Sequence, residues 1–175
     1  MGNEFEIRDA VFDDAPTIAQ VNLLTWLHAY RGIIPDVELD VLNLESVTEK
    51  WLEILSQASL KDCTIVATKD ESIIAYSRIY PSVDGDDDSN KVATIASLYV
   101  HPDFQHYGVG RKLMEEILKV AKDQAFTGAT LHVLAANERA RNFYESLGWE
   151  QDLDPVIEGA DQKFTPKVRY RKDLA

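Results

Sequence analysis

Apolar positions change their period several times along the chain, and each change marks a new element. From Glu4 to Arg8, Phe5 and Ile7 alternate with charged residues, which predicts a short half-buried strand. Helical spacing follows: Ile18, Val21, Leu24 or Thr25 and His28 recur after Pro16, with Asp13 or Asp14 as cap and Arg31-Gly32 as stop. After Pro35 a stripe of Leu39, Leu42, Leu44, Val47, Trp51, Leu52 and Leu55 predicts a second helical region through about residue 58. Ile65-Val66-Ala67 and Ile73 to Tyr80 flank a Lys69-Asp70-Glu71-Ser72 turn, the pattern of a β-hairpin. Val92 to Val100 reads as a strand beyond a polar loop and ends at His101-Pro102.

Leu113, Met114, Ile117, Leu118 and Ala121 then give an amphipathic helix closed near Gly128, followed by a strand from Leu131 to Ala135. Asn137 is a good N-cap for a helix carrying Ala140, Phe143, Tyr144 and Leu147, and Gly148 supplies a left-handed stop. Trp149 to about Leu153 and Lys167 to about Tyr170 read as closing strands. The order β-α-α-β-β-β-α-β-α-β-β, without internal repeat, predicts an α/β or α+β sheet with flanking helices.

At 175 residues the chain has the length of one domain, and 45% hydrophobic with 27% charged residues is an ordinary globular balance. Its net charge of -12 repels phosphodiester backbones, so no nucleic-acid partner is expected. One cysteine, Cys63, permits no intrachain disulfide and suits a reducing compartment. Neither a spanning helix nor a signal or myristoylation pattern is found, so a cytoplasmic protein without membrane attachment is expected.

Leu98 to Arg111 runs strand, glycine-containing turn, helix. Glycines allow close backbone approach, and free N–H groups at a helix start converge on one point, an arrangement suited to a pyrophosphate. A merely structural turn would use Gly108 and Gly110 equally well. Leu113 stands where a dinucleotide-binding fingerprint needs its third glycine, and Gly110-Arg111-Lys112 lacks the Lys-Ser/Thr of a Walker loop.

Gln105-His106-Tyr107-Gly108-Val109-Gly110 matches Gln/Arg-x-x-Gly-x-Gly/Ala, placed directly after a strand. Asn137 through Trp149 matches Asn-x-x-Ala-x-x-hydrophobic-Tyr-Glu-x-x-Gly-Phe/Trp. On these two motifs the chain resembles the GNAT superfamily of acyl-CoA-dependent N-acetyltransferases, and Thr25-Trp26 through Pro35 is similar to the first-helix region of many small members. The resemblance covers nearly the whole chain. It implies one GNAT domain over residues 1–175, with a mixed, mostly antiparallel central sheet of about seven strands and about four flanking helices.

The resemblance further implies acetyl-CoA as cosubstrate and a primary amine, on a small molecule or a peptide, as acceptor, attacking directly in a ternary complex. Main-chain amides from Gln105 through His106, Tyr107, Gly108, Val109, Gly110 and Arg111 are expected to hold the pyrophosphate. Leu98, Tyr99 and Val100 are expected to pair with pantetheine as an added strand, with a backbone N–H polarising the thioester carbonyl. Asn137 is implied as a pantetheine contact, a role compatible with a plain helix cap. Tyr144 is implied as the general acid for the departing thiolate, against the alternative of a core aromatic.

The base is open at this stage. Many relatives carry Glu on the central strand where this chain has Thr94, Ala96 and Ser97; His28, Tyr30, Asp36 and Glu38 are candidates, and a water relay is favoured. Asp84-Gly85-Asp86-Asp87-Asp88 fails the EF-hand pattern, since Ser89 and Ile95 occupy its glycine and glutamate positions, and reads as a solvated tip or an attractor of cationic amines. His28, His101, His106 and His132 show no metal-binding spacing. Two rival readings are a non-catalytic acyl-CoA binder and a homodimeric scaffold or regulatory subunit whose closing strands, Trp149 to Leu153 and Lys167 to Tyr170, form the partner surface.

Overall fold

The computed structural model describes residues 5–152 and 166–175. The elements are β1 (Glu6–Asp9), α1 (Ala15–Tyr30), α2 (Asp36–Leu39), α3 (Leu44–Ser56), β2 (Cys63–Lys69), β3 (Ser72–Pro81) and β4 (Val92–Val100). They continue with α4 (Val109–Asp123), β5 (Gly128–Leu134), α5 (Glu138–Ser146), β6 (Glu150–Gln151) and β7 (Lys167–Asp173). The strands form one seven-stranded sheet in the order β1-β2-β3-β4-β5-β7-β6, antiparallel except for β4 beside β5. The mixed, mostly antiparallel sheet expected from the sequence is therefore present. Of the predicted strand ends, Glu4 and Leu153 lie outside the described residues. Among those residues, no helix is long and apolar enough to cross a membrane.

Both faces of the sheet are covered, which explains why β2 and β3 read as nearly continuous apolar runs. Ile65, Ala67, Ile79 and Ala93 join Leu113, Met114 and Ile117 of α4 in one core. Val66, Ile73 and Tyr76, with opposite side-chain direction, meet Ile18, Ala19 and Val21 of α1 and Trp51 of α3 in the other.

Several boundaries differ from the predicted ones: β5 starts at Gly128 and β7 runs on to Asp173, and two helix boundaries have a clear local cause. The apolar stripe from Leu39 to Leu55 is split into α2 and α3, because Asn43 takes an extended conformation and its side chain accepts from the Ser46 N–H at 2.9 Å. That cap starts a new helix where periodicity alone shows none. α4 stops at Asp123, before Gly128: Ala125 adopts φ 66°, and the Phe126 N–H donates back to the Ala121 carbonyl at 3.0 Å. Burial of the Phe126 ring, 3% exposed, holds that left-handed turn without glycine.

The sheet opens at its centre. β4 and β5 pair only at Val92↔Gly128, Ala93↔Ala129 and Thr94↔Thr130, whereas β5 stays paired with β7 along its whole length. On the other side of β4, Arg78↔Ser97 is followed by Ile79↔Ile95, so Ala96 is an extra residue. Such a bulge bends its strand and increases the twist. β4 consequently leaves β5 just beyond the last paired threonines.

Candidate active site

The divergence creates a cleft of about 800 Å³ between β4 and β5, closed by the end of α1, the start of α4 and the α5 segment. Leu98, Tyr99, Val100, Gln105, His106, Gly108, Gly110, Arg111, Asn137 and Tyr144 all line it, although they come from three separate stretches of chain. Two further predicted residues do not: the Val109 side chain is 2% exposed in the core, and Tyr107 is 60% exposed on the outside. Neither side chain lines the cleft, so what these two residues offer a ligand there is their main-chain groups.

Left-handed residues build the turn ahead of α4. His106 has φ 68° and Gly108, the N-cap of α4, has φ 83°. The next amides, at Val109, Gly110 and Arg111, precede the first intrahelical bond, made by the Lys112 N–H to the Gly108 carbonyl at 3.1 Å. Side chains lock the turn to its neighbours. Gln105 Nε2 donates to the Val100 carbonyl at 3.0 Å, while Arg139 Nη2 donates to Gln105 Oε1 at 2.7 Å and lies 3.1 Å from His106 Nε2. Gly110 sits where a Cβ would touch Val100, Phe143 and Leu98 at 3.5–3.8 Å, so helix, strand and α5 are in close contact there.

Asn137 is a helix cap: its Oδ1 accepts from the Ala140 N–H at 3.1 Å, and its side-chain amide remains beside the cleft. The Tyr144 ring packs against Phe143, Trp149 and Tyr170 at centroid distances of 5.4, 6.3 and 6.2 Å. Its hydroxyl has no hydrogen-bond partner among the described residues. Burial, reinforced by the nearby Tyr30, pushes the Tyr144 phenol well above its ordinary value, so it is a protonated donor at neutral pH. Tyr30 Oη stands 3.4 Å from Tyr99 Oη, and burial raises both phenols as well.

Several base candidates are resolved by position. Of the three central-strand residues that stand in place of a Glu, Thr94 is buried with Oγ1 3.2 Å from Thr130 Oγ1, while Ala96 and Ser97 line the cleft without a carboxylate. Asp36 is held by Arg31 at 3.2 Å and lies outside the cleft, as does Glu38, whereas His28 and Tyr30 line it. The acidic loop is a largely exposed tip, with Asp86 and Asp88 open to solvent, but it is tied to β7. Arg169, 6% exposed, bonds Asp86 at 2.7 and 2.6 Å, Asp84 at 3.2 Å and also Asp152. The Asp87 side chain is 2% exposed and accepts from Ser82 Oγ at 2.6 Å and Arg171 at 2.9 Å. Arg169 and Arg171 of β7 offset part of the charge of these four carboxylates, and the cluster stays net negative.

Sequence reasoning also missed lining residues, chiefly His132, Arg139 and Phe143. Arg139 falls at a variable position of the second motif and Phe143 at its hydrophobic position, which reads equally well as core, and His132 carries no local signal. Although the whole chain is acidic, the cleft holds Arg111 and Arg139 against one carboxylate, Glu138. Its local field accepts anions.

The family model of the acetyltransferase (GNAT) family matches residues 25–149. The chain belongs to the GNAT family. It is 32% identical over 148 residues to an uncharacterized N-acetyltransferase of Archaeoglobus fulgidus, covering 85% of this chain and 92% of that one. A spermidine N(1)-acetyltransferase of Thermoplasma acidophilum is 26% identical over 153 residues, 85% of this chain and 91% of the relative. A UPF0039 protein of Schizosaccharomyces pombe is 30% identical over 102 residues, and the match spans 58% of this chain and 61% of that protein's length. Among solved structures, the PaiA N-acetyltransferase of Thermoplasma acidophilum in complex with coenzyme A superposes with a TM-score of 0.77. That alignment has 22% identity over 95% of this chain and 98% of the other. The GNAT fold recognised from two motifs is thus shared with enzymes of that family.

Proposed function

We propose that this GNAT protein moves an acetyl group from acetyl-CoA to a primary amine by direct attack within a ternary complex. The observation that carries the reading is the departure of β4 from β5 beside the unsatisfied start of α4. An unpaired strand edge, free helix amides and a protonated phenol then open on one cleft.

These groups fit acetyl-CoA. The amides of Val109, Gly110 and Arg111 are suited to the diphosphate, backed by roughly half an elementary charge at the helix start. Arg111 and Arg139 add positive charge beside it. From Ile95 to Val100 the β4 edge facing β5 is free to pair with an extended pantetheine arm, and a backbone N–H there can polarise the thioester carbonyl. We assign Tyr144 to protonate the departing sulfur. The burial that raises its phenol also makes a thiolate in the same site more basic, which keeps donor and acceptor matched.

The acceptor must be neutral to attack, so the site also has to carry protons away. Spermidine is the first amine to try, given the spermidine-acetylating relative. With Cys63 the only cysteine, we place the protein in a reducing, cytoplasmic setting. The test is thiol release from acetyl-CoA with spermidine, thialysine and an alanine-initiated peptide as acceptors. At least one should accelerate release above the amine-free rate and yield an N-acetyl product. Tight acetyl-CoA binding with no amine dependence across the set would favour a non-catalytic binder instead.

A further inference from the structure

Beyond Thr130, β5 has no partner on its β4 side, and His132 lies in this free stretch. Leu131 and Val133 turn into the core, 2% and 7% exposed, so the alternation of the strand directs His132 to the opposite face. There it lines the cleft with Tyr30, Tyr99 and Tyr144. Its Nε2 is 3.4 Å from Asp84 Oδ2. Asp84 is itself fixed, because Arg169 Nη1 holds the same oxygen at 3.2 Å and the Asp84 N–H donates to Ser82 Oγ at 3.3 Å. A carboxylate facing Nε2 favours the tautomer with its proton there and leaves the Nδ1 lone pair as the acceptor.

We propose that His132 is the general base that deprotonates the acceptor amine and that Asp84 is its positioning residue, an assignment that rests on the acetyl-transfer reading. Nδ1 takes one proton from the acceptor ammonium and passes it to solvent. The amine nitrogen then forms the C–N bond to the thioester carbonyl, the C–S bond breaks, and Tyr144 gives its proton to sulfur. His132 removes the second nitrogen proton, which returns through solvent to the Tyr144 phenolate. One proton thus ends on CoA and one in solvent, with no other reactant.

The charges around the imidazole support a base. Burial lowers its affinity for a proton most; Asp84 and Asp87 act against this, while Arg169 and Lys167 on β7 add to it, and the balance lies below the ordinary histidine value. His132 is therefore unprotonated at neutral pH. Of the other histidines lining the cleft, His28 on α1 has no carboxylate partner among the described residues and His106 lies against Arg139, with Glu138 next to it.

The test is the pH dependence of kcat/KM for the best acceptor among spermidine, thialysine and the alanine-initiated peptide. Wild type, His132→Gln and Asp84→Asn are compared, with folding checked by circular dichroism and acetyl-CoA affinity by calorimetry. The wild type should show an acid limb below the ordinary histidine value of about 6.5. His132→Gln should lose that limb and about a hundredfold in kcat with acetyl-CoA affinity unchanged. Asp84→Asn removes a negative charge from beside the imidazolium, so the limb should move to lower pH while Asp86 and Asp152 still hold Arg169. Wild-type kcat and an intact limb in His132→Gln would overturn the base assignment alone. Absence of transfer by the wild type to any of the three amines would overturn the acetyl-transfer reading and the base with it.

Discussion

Replacing Tyr144 by Phe removes one oxygen from the cleft and leaves the ring in its packing. The hydroxyl has no partner to lose among the described residues, and the ring contacts with Phe143, Trp149 and Tyr170 do not need it. Stability should therefore stay within about 0.5 kcal/mol, a change in Tm of no more than about 2 °C for a chain of this size. Loss of a positioned proton donor should lower kcat by about 10- to 100-fold, or roughly 1.4–2.7 kcal/mol of transition-state stabilisation. The assay is steady-state thiol release at saturating acetyl-CoA and amine, beside calorimetry of acetyl-CoA and a thermal melt. Unchanged affinity and Tm with reduced kcat would place the effect on thiolate departure. Equal kcat in both proteins, with chemistry shown to limit turnover, would return Tyr144 to the role of a packing aromatic.

Gly110→Val places two methyl groups beyond a Cβ already in contact with Val100, Phe143 and Leu98, so acetyl-CoA should bind about tenfold more weakly or worse by calorimetry; equal affinity would reduce the turn to a connector. Arg169→Ala strips the counter-charge from Asp84, Asp86 and Asp152 and should cost about 3–5 kcal/mol in denaturant unfolding, whereas a loss under about 1 kcal/mol would show the cluster to be solvated. Asp86 is held near a pKa of about 2 by its bond to Arg169. Because this folded value lies below the unfolded one of about 3.9, its contribution is present above pH 4 and disappears as pH falls toward 2. Asp86→Asn should flatten that part of the acid-unfolding profile, and an unaltered profile would argue against the pairing.

Local chemistry made much of the fold legible. The strand, glycine turn and helix around Gly108 carry their own signal, because a left-handed N-cap with free amides behind it needs glycine. Asn137 likewise announces its helix and does cap it. The cleft depends on features that leave no such mark. Ala96 is one small residue in an apolar strand, and only its opposition to β3 makes it a bulge. The end of β4–β5 pairing after Thr94↔Thr130 is a relation between two strands with a helix between them. Asp84 and His132 meet across the sheet, and the acidic run looks unpaired until Arg169 and Arg171 are placed beside it. Hydrophobic period records which face a residue takes, not its partner on that face.

Direct acetyl transfer in the cleft between β4 and β5 leaves no acetyl group on the protein at any point. A single-turnover rapid-quench experiment with isotope-labelled acetyl-CoA tests it most directly, using the best acceptor among spermidine, thialysine and the alanine-initiated peptide and following label in amine, free acetate and protein by mass spectrometry. Label should pass from thioester to amine nitrogen at the rate of CoA release, with none on the protein. Labelled protein appearing before product, or labelled acetate forming at the same rate with and without amine, would contradict it.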